Sequence, residues 1–172
     1  MPTPPPLPPR SHNAPPPPKG GIAAPPRGIR NHNPGNILRN GQAWQGLTPD
    51  QPDGEFCKFQ GPEWGLRALI LVLLAYRRRG IVTVGDIIRT YCPPTHTFPD
   101  GRTQKQDTGA YIGFVAMALG VPPTATINVT SRAVLRLLLP AIVRKENGQQ
   151  PYGAAVFEAA MDLAKIPLEP LP

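Results

Sequence analysis

Two stretches of this chain carry side chains whose types and spacing can grip a polar ligand and move a proton. The first is Gly28-Ile29-Arg30-Asn31-His32-Asn33-Pro34-Gly35-Asn36-Ile37. Glycine and asparagine tolerate a left-handed backbone, so this composition predicts a tightly turned loop. The amides of Asn31, Asn33 and Asn36 can hydrogen-bond hydroxyl and acetamido groups, while the plain alternative is a well-made turn. The second is Ala141-Ile142-Val143-Arg144-Lys145-Glu146-Asn147-Gly148-Gln149-Gln150-Pro151, where Glu146 follows a predicted helix. A carboxyl placed there can serve as a general acid if burial and the negative end of the helix dipole disfavour its anion. The plain alternative is a solvated glutamate closing a helix. Neighbours on a helix diverge by about 100°, so Lys145 and Arg144 are expected to point away from that carboxyl. Asp53 and Glu55 are candidate second carboxylates, and Tyr111 either lines a cleft or packs in the core.

The elements that must position these groups are mainly helical. Pro62-Glu63 opens a helix whose Leu66, Leu69, Ile70, Leu73 and Leu74 recur at helical spacing, and Arg77-Arg78-Arg79-Gly80 closes it. Thr83 can cap a short helix through Tyr91, stopped by Pro93-Pro94. Asp107 or Thr108 can cap one through Leu119, ended by Gly120. Thr130 or Ser131 can start one through Lys145, kinked or split at Pro140, and a last helix is expected over about 151–164. Between residues 27 and 60, glycines and asparagines separate short apolar groups. Asn36-Ile37-Leu38 and Glu55-Phe56-Cys57-Lys58-Phe59 are candidate short strands there, and Asn40-Gly41 and Asp53-Gly54 are turn dipeptides. The fold class is therefore mainly α, with a small irregular or short-strand lobe.

The order of these motifs resembles a family. The segment Arg27–Ile37 is similar to the GIRNNNPGNI-type opening of phage virion and lysis proteins. Trp44-Gln45-Gly46, Phe56-Cys57-Lys58-Phe59 and Gly65-Leu66-Arg67-Ala68-Leu69 follow, as a W-x-G, an F-x-x-F and a G-[IL]-R-A-L helix do there. Flagellar and cell-wall glucosaminidases show a similar order, ending in a helix with a tyrosine, here Tyr76. The Ala141–Pro151 segment resembles the A-I-x-x-x-E-S-G-x-x-P signature of lytic transglycosylases, in which the glutamate is the catalytic acid. In those families the glutamate helix precedes the glycine-asparagine loop, whereas here it comes last. The resemblance thus implies a lysozyme-like helical domain, circularly permuted, over residues 27–165.

It also implies a function, the cleavage of peptidoglycan glycan strands by a muramidase or lytic transglycosylase tied to a phage particle or host lysis. Glu146 would donate the proton, and Asn31, Asn33, Asn36, Trp44 and Tyr111 would shape the glycan groove. With Asp53 or Glu55 as a second carboxylate, a separation of about 5–5.5 Å would suit retention and about 6.5–9.5 Å inversion. With neither, the sugar's own 6-hydroxyl can attack. No cofactor and no metal is implied. The alternative is a non-catalytic structural virion protein that keeps a lysozyme-like fold. The two are told apart by whether the purified domain clears outer-membrane-stripped cells, and the enzyme reading further requires Glu146 to lie beside the loop.

Composition bounds these readings. Twelve of the 26 prolines lie in the first 27 residues, so residues 1–26 are expected to form a disordered or extended tail, acting as a spacer or a strap to other virion proteins. That tract shows no apolar signal-peptide core, so the expectation is synthesis in a host cytoplasm and action in the virion, periplasm or cell wall. Residues 166–172 are expected to be irregular. The formal charge of +7 suits an anionic partner without choosing one. No aromatic platform or nucleic-acid motif appears, so nucleic acid is not an expected partner. No apolar run is long enough to span a bilayer. Cys57 and Cys92 form no framework and are expected to be buried thiols or a single bridge. His12, His32 and His96 lack metal-ligand spacing.

Overall fold

The computed structural model describes residues 24–97 and 101–168. The extended or disordered tail expected over 1–26 therefore falls almost wholly outside the described residues, as does most of the irregular end at 166–172. Helix dominates the rest. One turn, α1 (Arg27–Arg30), leads into the loop. The helices α2 (Pro62–Arg78), α3 (Val84–Tyr91), α4 (Thr108–Leu119), α5 (Arg132–Asn147) and α6 (Ala154–Leu163) follow, with a hairpin of β1 (Thr95–Thr97) and β2 (Thr103–Lys105) between α3 and α4.

The core is built around α2. Leu66, Ala68, Leu69, Ile70, Val72 and Leu73 are all buried, so apolar surface covers more than one stripe and the helix sits centrally. It packs on α6, while α5 meets α1, α4 and α6 and α3 meets α4. Leu135, Leu138, Leu139, Ile142 and Val143 bring α5 into the same cluster. α5 runs unbroken through Pro140, which removes one helical hydrogen bond but leaves buried residues on both sides of it. Of the kink or split expected at Pro140, the split does not occur.

Capping explains where the helices begin. The side chains of Thr83, Asp107 and Ser131 accept the backbone N–H groups of Asp86, Ala110 and Val134, satisfying donors that have no partner inside a first turn. At the other end, α5 stops at Asn147 because Gly148 turns left-handed at φ 70°. α6 starts at Ala154, later than its proline suggested. Gln150 and Tyr152 hold the intervening turn by exchanging bonds, the Gln150 amide donating to Tyr152 O and Tyr152 N–H to Gln150 Oε1.

The small lobe departs from expectation. The candidate strands around Asn36–Leu38 and Glu55–Phe59 reduce to isolated antiparallel bridges, Leu38 with Phe56 and Leu47 with Phe59. Backbone bonds run from Arg39 N–H to Glu55 O and from Cys57 N–H to Ile37 O, and side chains bond the backbone beside them. Asn33 donates to Cys57 O at 2.8 Å, and Gln51 both accepts from Lys58 N–H and donates to Lys58 O. The hairpin pairs Thr95 with Lys105, His96 with Gln104 and Thr97 with Thr103, and the helical periodicity gave no sign of it. Cys57 and Cys92 are both buried thiols and form no disulfide. No helix among the described residues is long and apolar enough to cross a membrane.

Candidate active site

The loop is fixed from inside by Asn33. Its Oδ1 accepts Ile37 N–H at 2.8 Å and its Nδ2 donates to Ile37 O at 2.9 Å, while Asn33 N–H donates to Gly28 O. Asn33 is fully buried at 0% exposure. It braces the loop and offers nothing to a sugar, which corrects its expected groove role. The left-handed positions are His32 and Asn36, each at φ 48°; Asn36 is one of the asparagines expected to tolerate that backbone, whereas His32 is not.

Outside elements fix the loop in place. The Tyr91 hydroxyl at the end of α3 donates to Gly35 O at 2.7 Å. Asn147 at the end of α5 donates to Pro34 O at 2.8 Å. At the start of α2 the backbone comes so close that a Cβ on Gly65 would collide with His32 O. Phe59 N–H donates to Asn31 O from the lobe.

The consequence is a contact between the two ends of the domain. Asn36 Nδ2 donates to Glu146 Oε2 at 3.0 Å, across 110 residues of sequence. Tyr111, on α4, donates its hydroxyl to Glu146 Oε1 at 2.9 Å. Glu146 is 8% exposed at the C-terminal end of α5. Lys145 Nζ lies 5.9 Å from the Tyr111 ring centroid, so its charge faces the ring whose hydroxyl holds this carboxyl. Arg144 is exposed.

This arrangement suits a group that changes protonation state. Asn36 Nδ2 can only donate, so it marks Oε2 as an acceptor oxygen. A hydroxyl both donates and accepts, so Tyr111 can serve the carboxylate and, by rotating, the carboxylic acid on Oε1. Tyr111 therefore holds the carboxyl; with its own side chain 1% exposed, it does not form an open groove wall.

The candidate second carboxylates are differently placed. Arg27 forms ion pairs with Asp53 through Nη2 and with Glu55 through Nη1, the latter at 2.7 Å, and its Nε donates to Asp53 Oδ2 at 2.6 Å. Asn31 Nδ2 adds a bond to Asp53 Oδ2 at 2.8 Å, and the N–H groups of Glu55 and Phe56 converge on Oδ1. Burial pushes the Asp53 carboxyl up, but Arg27, the two backbone donors and Asn31 outweigh it and hold it well below the usual carboxylate range. Asp53 is thus a hub that ties α1 to the lobe, and Asn31 is taken up in the same hub. Glu55 keeps a 30% exposed side chain. Arg27 also lies 4.4 Å from the Phe56 ring centroid, closing the cluster.

Trp44 is 7% exposed and packed in the core, and its indole N–H has no partner among the described residues. Its expected place in the groove wall is corrected to a core position. Two residues were not foreseen. Asn147 was given no role of its own within the Ala141–Pro151 segment, although an amide one step beyond a helical carboxylate can reach back over the helix end. His96 points inward from β1 at 3% exposure. Burial pushes its imidazole down while the charge of Glu55 pulls the other way. No group of three potential metal ligands occurs among the described residues. No protein-family model matches the chain, and no curated protein matches it.

Proposed function

We propose that this chain is a peptidoglycan-cleaving glycosidase carried by a phage particle or made for host lysis, with a circularly permuted lysozyme-like fold. The observation that carries the reading is the Glu146 carboxyl, sheltered at a helix end and held by Asn36 on one oxygen and Tyr111 on the other. A glycosidic leaving oxygen needs a proton, and a sheltered carboxyl that can exchange its hydrogen-bond pattern supplies one. Glu146 gives its proton to the glycosidic oxygen as the C1–O bond breaks.

The lytic transglycosylase route is favoured over a hydrolase that uses Asp53 as its second carboxylate, because Asp53 is enclosed in its ion-pair hub. The sugar's 6-hydroxyl oxygen then attacks C1 and its proton returns to Glu146, so no water is consumed. The ligand is the glycan strand, and the Pro-rich tract is the attachment to other virion proteins.

A second reading draws on a specific observation. Glu146 is only 8% exposed and both of its oxygens are bonded within the fold, as befits a structural knot in a non-catalytic virion protein. Turbidity of outer-membrane-stripped cells separates the two. The enzyme reading expects clearing by the wild type, slowed at least about 100-fold in Glu146→Gln, with anhydro-ended fragments by mass spectrometry. Clearing that survives the substitution removes Glu146 as the acid, and a folded wild type that clears nothing favours the structural protein.

A further inference from the structure

We propose that Asn147, acting with Gly28, is a positioning residue that aims the Asn36 amide at Glu146. Asn147 closes α5 and is buried at 8% exposure. Its Nδ2 donates to Val143 O in its own helix at 3.0 Å and to Pro34 O in the loop at 2.8 Å. One amide thus fastens the loop to the helix that carries Glu146, two residues before Asn36.

The other half of that amide faces Gly28. Asn147 Oδ1 is buried and has no hydrogen-bond partner among the described residues. A Cβ added at Gly28 would collide with this oxygen and also with Asn36 Oδ1. The two amide oxygens therefore flank the same bare Cα, where a Cα–H group offers each a weak contact. With Asn36 Oδ1 seated against Gly28, its Nδ2 is left facing Glu146 Oε2, to which it donates at 3.0 Å. Gly28 leaves room for both oxygens, and Asn147 sets how close the loop lies. Neither residue need touch a substrate. The catalytic consequence rests on the reading of Glu146 as the acid, but the aiming of Asn36 does not.

The test therefore uses a readout independent of turnover. In the 15N-labelled full chain, the Asn36 side-chain amide is identified by its loss in Asn36→Asp, and its hydrogen exchange is followed by NMR. Asn147→Ala should speed that exchange at least tenfold, and the milder Asn147→Ser should do the same if the alanine variant folds poorly. Leu139→Ala, a cavity in α5 away from the clamp, lowers stability without speeding it, so the readout separates aiming from general weakening. If the wild type cleaves glycan, Asn147→Ser should lower kcat about tenfold with KM within twofold. Unchanged Asn36 exchange in a folded Asn147→Ser overturns the proposal whether or not the chain is an enzyme. An inactive wild type would remove the glycosidase reading and leave this one standing on the exchange data.

Discussion

Asn36 and Glu146 meet through a 3.0 Å hydrogen bond from Nδ2 to Oε2, although one sits near the start of the domain and the other near its end. Such a pair closes the fold as well as the site, so removing either half should be felt in stability. Asn36→Ala leaves a buried carboxylate oxygen without that donor and should cost about 1–3 kcal/mol in denaturant unfolding at neutral pH. Asn36→Asp places two carboxyls in contact, which disfavours both ionising. Its deficit should be larger at pH 7 and shrink as pH falls, because one shared proton relieves the repulsion. A pH-independent deficit would mean that the two groups do not meet.

Tyr111→Phe isolates the other bond. The ring stays in the core, where Tyr111 is 1% exposed, and the donor to Glu146 Oε1 is lost. The expected loss is about 1–2 kcal/mol in unfolding free energy. If the chain cleaves glycan, the alkaline limb of its pH–rate profile, where the acid loses its proton, should also move, because the hydroxyl can serve both protonation states. A shift with Tyr111→Phe and none with Tyr91→Phe, whose hydroxyl bonds Gly35 O instead, would tie the effect to the carboxyl.

Asp53 supplies a pH dependence with a definite sign. Its carboxyl is held below the usual range in the folded chain, so the folded state binds its proton less readily than the unfolded state does. The stabilisation is then fully present above the unfolded value near pH 4 and is lost as pH falls below it. Against Asp53→Asn, the wild type should be more stable by on the order of 1–3 kcal/mol from pH 5 to 7. That difference should narrow steadily below about pH 4. Urea titrations of both proteins from pH 2 to 7 measure it, and a gap that stays constant into acid would show that the ion pair with Arg27 is not what holds the lobe.

The helices were legible because their signals are local. Thr83, Asp107 and Ser131 sit one residue before their helices and bond within the first turn, so each start is written in a few adjacent letters. The nearness of Asn36 to Glu146 was legible only as a requirement of the motif order, since nothing local to either residue encodes it. The lobe was misread because its backbone pairing is limited to isolated bridges that Asn33 and Gln51 supplement with side-chain bonds, and an amide in sequence does not reveal whether it faces the backbone or a ligand. The same ambiguity hid the inward roles of Asn33 and Asn31 and the clamp made by Asn147. Trp44 was expected on a surface, but its ring went to the core, where most of its area gains from burial. The hairpin was missed because Thr95–Thr97 and Thr103–Lys105 are too short for a period, although Pro99-Asp100-Gly101 between them is a turn signal.

Two helical glycines should respond to alanine with opposite signs. Both Gly65, in α2, and Gly113, in α4, cost their helices about 1 kcal/mol relative to alanine by propensity alone. Gly113 is exposed and a Cβ there would meet nothing within 4 Å, so Gly113→Ala should raise stability by about that amount. Gly65 is buried, and its Cβ would run into His32 O and crowd the Pro34 ring. His32 O is backbone, so relief requires the loop to move, and Gly65→Ala should lower stability by about 1–3 kcal/mol despite the better propensity. Because that loop carries Asn36, the same variant should also speed hydrogen exchange of the Asn36 amide, which Gly113→Ala should leave unchanged. If thermal unfolding shows Gly65→Ala to be stabilising, the loop does not pack on α2 as closely as the site requires.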